Sequence, residues 1–148
     1  MNETLQSVQL TQASDYQFDV DFGPDLPSLR ADEPAPLGLG QGPSPVQLLA
    51  AAVGNCLSAS LLFALRKFKQ QPEPLSCRVE AQVGRNADGR VRVLSMSASL
   101  TLGVPAAALK NLDRVLATFE SYCTVTQSVN AAIPVSLSVF DKQGERLK

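Results

Sequence analysis

The sequence predicts an α+β domain containing antiparallel sheet. Several segments alternate apolar and polar residues with the period of a strand, and two stretches carry helix-start signals. Their order, ββ–α–ββ–α–β, lacks the regular strand–helix alternation of a parallel doubly wound fold. At 148 residues the chain is long enough for one domain over residues 1–148 with a core that needs no staples.

The first clear strand is YQFDVDF, residues 16–22. Tyr16, Phe18, Val20 and Phe22 share one face, and Gln17, Asp19 and Asp21 share the other. The weaker stretch at residues 5–12 is its expected partner. Residues 23–44, GPDLPSLRADEPAPLGLGQGPS, are rich in Pro and Gly and predict a long loop. Inside a compact domain such a loop is more often functional or interface-forming than idle. Ser44 can serve as the N-cap of the next helix, and Pro45 suits its first position. Residues 46–65 carry no charge and are followed at once by RKFK. Length alone would allow a membrane span. The many alanines, with Gln47, Gly54, Asn55, Ser58 and Ser60, favour instead the central helix of a soluble protein, covered by a second subunit.

SCRVEAQV, beginning at Ser76, alternates again, with Cys77, Val79, Ala81 and Val83 inward. NADG then makes a turn, and a long strand returns over residues 90–102. Its phase slips: Val91 and Val93 lie on one parity, Leu94, Met96, Ala98, Leu100 and Leu102 on the other. A β-bulge near Val93 and Leu94 reconciles the two. Pro105 opens another helix, in which Leu109, Leu112, Val115, Leu116 and Phe119 form an apolar stripe. That helix is expected to end near Cys123. A short turn or helix follows, capped by Thr124 or Thr126, and PVSLSVF supplies a last strand before a charged tail expected to fray.

Composition excludes several functions. Thirteen basic and fourteen acidic residues nearly cancel, and no basic block offers a track for nucleic acid. The N-terminal MNETLQSVQL lacks the features of a secretory leader, and three cysteines are too few for a disulfide scaffold. A reducing cytoplasm is the expected compartment. The chain contains no histidine, which removes the Ser-His-Asp triad, the Cys-His pair and imidazole metal ligands. The cysteines at 56, 77 and 123 have no CxxC spacing, so no metal site is expected.

Any chemistry must therefore run on Cys, carboxylates, Arg, Lys, Tyr, hydroxyl groups or a borrowed cofactor. Cys77, on the apolar face of a strand, reads as a core residue. Cys56 is surrounded by Gly54, Asn55, Ser58 and Ser60, a patch of small residues suited either to tight helix packing or to close approach of a substrate. It lies three turns into its helix, beyond reach of that helix's free N–H groups, so a reactive thiolate there needs a nearby cation from elsewhere in the chain. Cys123 stands where a helix closes, and if a new helix starts there the thiol meets free N–H groups. Spacing alone does not bring the two together.

GPSPVQLLAAAVGNCLSASLL and FESYCTVTQSV together resemble the two cysteine motifs of the OsmC/Ohr family, the osmotically inducible and organic-hydroperoxide-resistance proteins. DEP and the Gly-rich loop fit its OsmC-like branch, and the element order fits over nearly the whole chain. The resemblance implies an intertwined homodimer with antiparallel sheet wrapped around long central helices, and no membrane or nucleic-acid partner. It also implies thiol-based reduction of organic hydroperoxides. Cys56 would be oxidised to a sulfenic acid and Cys123 would resolve it as a disulfide. No bound cofactor is implied; an external dithiol, such as a lipoyl group, would complete the cycle. In the hydroperoxide-reductase branch a glutamate follows the Pro of the first motif and holds an arginine against the thiolate. Here that position is Val46, followed by Gln47, and Asp32 and Glu33 are the substitutes at hand. Arg30 is the only arginine before the first motif and so is the candidate cation. The alternative is a binding or redox-sensing protein on the same scaffold, without peroxidase activity.

Overall fold

The computed structural model describes residues 3–148 and divides into two compact units, the first ending at Leu48 and the second spanning Leu49–Lys148. The first holds an antiparallel sheet of β1 (Gln9–Ser14), β2 (Gln17–Asp21) and β3 (Leu29–Ala31), in that order. The weak N-terminal stretch does pair with β2, shifted a few residues along from 5–12. β3 lies inside the segment read as loop; three residues are too few to show alternation.

The expected apolar face of β2 is only partly buried. Val20 is enclosed, but Tyr16, Phe18 and Phe22 remain exposed, while Gln17 from the polar parity is buried at 7 % exposure. Gln17 is drawn in by Asp32, itself only 2 % exposed. The Gln17 amide donates to Asp32 Oδ2 (3.3 Å) and to Gln41 Oε1 (3.0 Å). The Asp32 carboxylate also accepts the backbone N–H groups of Glu33, Leu39 and Gln41. A buried carboxylate is tolerated only with such partners, and here it organises the loop. Gly38 permits the approach, since a Cβ there would lie 2.3 Å from Asp32 Oδ1.

Helix α1 (Pro45–Lys67) begins as read. The Gln47 N–H donates to Ser44 Oγ and the Ser44 N–H to Gln47 Oε1, a reciprocal capping box. It is long and apolar enough to cross a membrane. Its Val53, Leu57, Leu61 and Leu65, at four-residue spacing, are fully buried in one cluster with Met96, Ala98 and Leu100. Burying each leucine contributes about 1.5–3 kcal/mol.

The second unit's sheet contains β4 (Ser76–Arg85), β5 (Val91–Thr101) and β6 (Val135–Phe140). Gln82 pairs with Ser95 but Val83 with Val93, so Leu94 is the extra residue of a bulge where the phase slip placed one. β6 runs parallel to β5, a pairing beyond the antiparallel sheet that the sequence predicts. The segment between them is a crossover, as parallel pairing requires.

The helix expected from Pro105 is broken. A 3-10 turn (Ala106–Ala108), α2 (Leu112–Thr118), a second 3-10 turn (Phe119–Tyr122) and α3 (Thr124–Asn130) replace it. Asn111 takes a left-handed conformation (φ 58°) ahead of α2, and the Lys110 N–H donates to Gln70 instead of continuing a helix. The apolar stripe still points inward, with Val115, Leu116 and Phe119 buried. The charged tail is not frayed. The buried Asp141 carboxylate accepts N–H groups from Ala106, Gln143 and Glu145, turning the chain back so that Lys148 pairs with Glu120.

Candidate thiol site

Cys56 and Cys123, 67 positions apart, meet in the second unit. α1 presents Cys56, and Cys123 occupies the corner between the second 3-10 turn and α3, where it is the N-cap residue. Neither Thr124 nor Thr126 caps that helix. The Cys123 thiol donates to Cys56 Sγ at 2.7 Å, and Cys123 Sγ lies 3.0 Å from Thr126 Oγ1. Cys123 is fully buried, whereas Cys56 is half-buried and lines a pocket.

The two thiols are pushed in opposite directions. Burial alone would raise the Cys56 pKa, but hydrogen bonds from Cys123, from the Val125 and Thr126 backbone N–H groups and from Ser60 outweigh it, and the net shift is downward. Val125 and Thr126 are in the first turn of α3, whose N–H groups have no carbonyl within the helix to bond. Cys123 moves upward, first through burial and then because its proton is engaged by Cys56. The geometry thus has Cys56 as the group that ionises and Cys123 as the proton donor beside it. The groups that lower Cys56 are a neighbouring helix end in the same unit, the Cys123 thiol and Ser60, and not the nearby cation that the sequence led one to expect.

Cys77 differs from both. Burial raises its pKa, with Ser58 acting against the shift, and its Sγ faces Gly54. The site's pocket, of about 510 Å³, extends from Cys56 along α1 past Ser60 and Phe63 and is closed on another side by Val115 and Phe119. Arg30, Asp32, Glu33 and Gln47 all belong to the first unit. There Arg30 Nε donates to Asp19 Oδ1 at 2.6 Å, which raises the guanidinium's pKa and lowers that of Asp19. Asp32 holds its own loop, Glu33 offers its N–H to Asp32, and Gln47 completes the α1 cap.

The sequence does not reveal the Val125 and Thr126 N–H groups as donors to Cys56, nor the Thr126 hydroxyl as a partner of Cys123. The CTVT segment did carry a signal: a hydroxyl three residues after an N-cap position is placed to reach it.

The family model for OsmC-like protein matches residues 38–138, which include both cysteines. The chain belongs to the OsmC-like family. Solved structures agree on the fold. An OsmC-like protein of unknown function from Vibrio cholerae superposes with TM-score 0.79 at 15 % identity, covering 93 % of this chain and 100 % of that one. An organic hydroperoxide resistance protein from Legionella pneumophila gives 0.72 at 16 %, with 94 % and 98 % covered. The organic hydroperoxide resistance protein OhrB of Bacillus subtilis gives 0.70 at 14 %, with 92 % and 98 % covered. No curated protein matches by sequence.

Proposed function

We propose that this OsmC-like protein is a thiol peroxidase that reduces organic hydroperoxides. The observation that carries the reading is the 2.7 Å contact between a thiol driven toward ionisation and one that keeps its proton. The Cys56 thiolate attacks the terminal oxygen of the hydroperoxide. The O–O bond breaks, Cys56 becomes a sulfenic acid, and the alkoxide leaves and takes a proton. Cys123, deprotonated, then attacks the Cys56 sulfur. An S–S bond forms and the hydroxide is released as water. An external dithiol reduces the disulfide by exchange and is itself oxidised; a lipoyl group has this chemistry. The pocket beside Cys56 supports a substrate with an apolar body.

The stabilisation of Cys56 described above uses groups of its own unit, so the reading does not depend on an arginine. The family's homodimer and a cytoplasmic setting complete the proposal. Tyr16, Phe18 and Phe22 on the first unit and Phe63 on the second, all exposed, support a further subunit.

The test is to treat reduced protein with one equivalent of an organic hydroperoxide and map disulfides by peptide mass spectrometry. Rapid formation of a Cys56–Cys123 bond is expected. Cys56→Ser should abolish hydroperoxide consumption, and Cys123→Ser should stop after one turnover with a trappable sulfenic acid. Intact thiols after treatment would overturn the peroxidase reading and leave a ligand-binding protein, the reading that Val46 at the family's glutamate position favours.

A further inference from the structure

Cys123 owes its place to a corner between two short helical pieces. The 3-10 turn before it has four residues and α3 after it has seven, and helices so short do not hold themselves in water. No side chain caps α3. Burial of Phe119 and Thr126 fixes part of the corner. Glu120 ties the rest together. Its carbonyl accepts the Cys123 N–H and the Gln127 side-chain amide, each at 3.0 Å, and so joins the turn to the start of α3.

The Glu120 side chain is held in turn by Lys148, which arrives from the other side of the unit. The Asp141 carboxylate turns the chain after β6, and Arg146 bridges back to Phe140. The N–H groups of Leu147 and Lys148 then donate to the carbonyl of Val139, a fully buried core residue. From that anchor the Lys148 ammonium pairs with Glu120, donates to the Leu116 carbonyl at 2.7 Å and lies 5.8 Å from the Phe119 ring centre. Leu116 is in the last turn of α2, where carbonyls lack donors within the helix. One side chain thus touches α2, the 3-10 turn and an aromatic wall of the pocket beside Cys56.

Exposed ion pairs contribute little. This pair is the least exposed of the four among the described residues, with side chains 32 % and 30 % exposed, and it joins segments farther apart in the chain than the other three do. Lys148 also lies outside residues 38–138, the part that matches the OsmC-like family model.

We infer that Lys148 is a positioning residue for Cys123: from its anchor on β6 it holds the corner that sets this thiol against Cys56. A disulfide needs a defined approach of its two sulfurs, so a corner that drifts by an ångström forms one less readily. As a statement about turnover this rests on the peroxidase reading; as a statement about how readily the two thiols join it does not.

Equilibration of the full-length protein in glutathione buffers, without hydroperoxide, tests the positioning. Glutathione disulfide is reduced to two thiols as Cys56 and Cys123 are oxidised to one S–S bond, and the equilibrium constant reports how well the second thiol is held at the first. Lys148→Met, which keeps an unbranched stem without the ammonium, should lower that constant roughly three- to tenfold, about 15–30 mV. Lys148→Arg should recover most of the loss. Glu120→Ala should shift the constant in the same direction and decides the question if Lys148→Met fails to fold. The double variant Lys148→Met/Glu120→Ala should be little worse than Lys148→Met, because both changes remove one contact. A merely structural role would lower resistance to urea and leave the constant where it was. An unmoved constant, or additive losses in the double variant, would overturn the inference, as would an unaltered protein that forms no Cys56–Cys123 bond in any buffer. A bond formed in glutathione but not with an organic hydroperoxide would sink the peroxidase and leave the positioning standing. Hydroperoxide-driven disulfide formation equally fast in Lys148→Met would do the reverse.

Discussion

The sharpest consequence of the thiol geometry is that removing Cys123 should make Cys56 less reactive before any peroxide is added. In Cys123→Ala the donor 2.7 Å from Cys56 Sγ disappears, while the N–H groups of Val125 and Thr126 and the Ser60 hydroxyl remain. A hydrogen bond to a charged acceptor contributes about 1.5–3 kcal/mol, and about 1.4 kcal/mol is a factor of ten in population. At a pH below its titration, the thiolate fraction of Cys56 should therefore fall roughly tenfold or more. The sign follows from the downward shift of Cys56: the donor favours the ionised form, so its loss moves the titration toward higher pH. The assay is the rate of iodoacetamide modification of Cys56, followed by peptide mass spectrometry from pH 5 to 10. The variant should be slower at acidic and neutral pH and converge with the unaltered protein once both are ionised. Cys123→Ser retains an O–H donor and should restore much of the rate. Equal rates for all three proteins across the range would refute the reasoning, as would a Cys123→Ala protein that reacts faster.

Three further outcomes follow from the same structure. Alkylation of the reduced protein at neutral pH should reach Cys56 first, because burial holds Cys77 and Cys123 protonated; early labelling of Cys77 would contradict the assignment. Gly54→Val should lower stability to urea by about 1–3 kcal/mol through overpacking, because even its Cβ would lie 2.8 Å from Val79 Cγ2, and unchanged stability would show that α1 and β4 are not in close contact. Asp141→Asn should flatten the acid limb of a stability–pH curve. The Asp141 pKa is lowered by N–H donors, so its contribution is present above the ordinary aspartate range, near 3.8, and is lost as pH falls below that. An acid limb identical to that of the unaltered protein would assign the tail's order to other contacts.

What the sequence alone determined is what local periodicity encodes. The phase of Leu94 against Val93 located the bulge, Ser44 and Pro45 located the start of α1, and the stripe from Leu109 to Phe119 named buried residues even though its helix proved broken. Alternation says which face of an element seeks cover, because side chains repeat every two or 3.6 residues. It does not say what covers that face. Gln17 therefore lies inside, against the periodicity, for a reason found in the loop: Asp32 needs its amide. The direction of β6 was hidden for the same reason, since a crossover leaves no mark on the strand it delivers. The motifs singled out Cys56 and Cys123, but only the tertiary structure decided that they touch. Their meeting depends on α1 packing over β5 and on the corner after Phe119, contacts between residues far apart in the chain. The activation of Cys56 belongs to the same class, because the N–H groups acting on it come from a helix that begins 68 residues later.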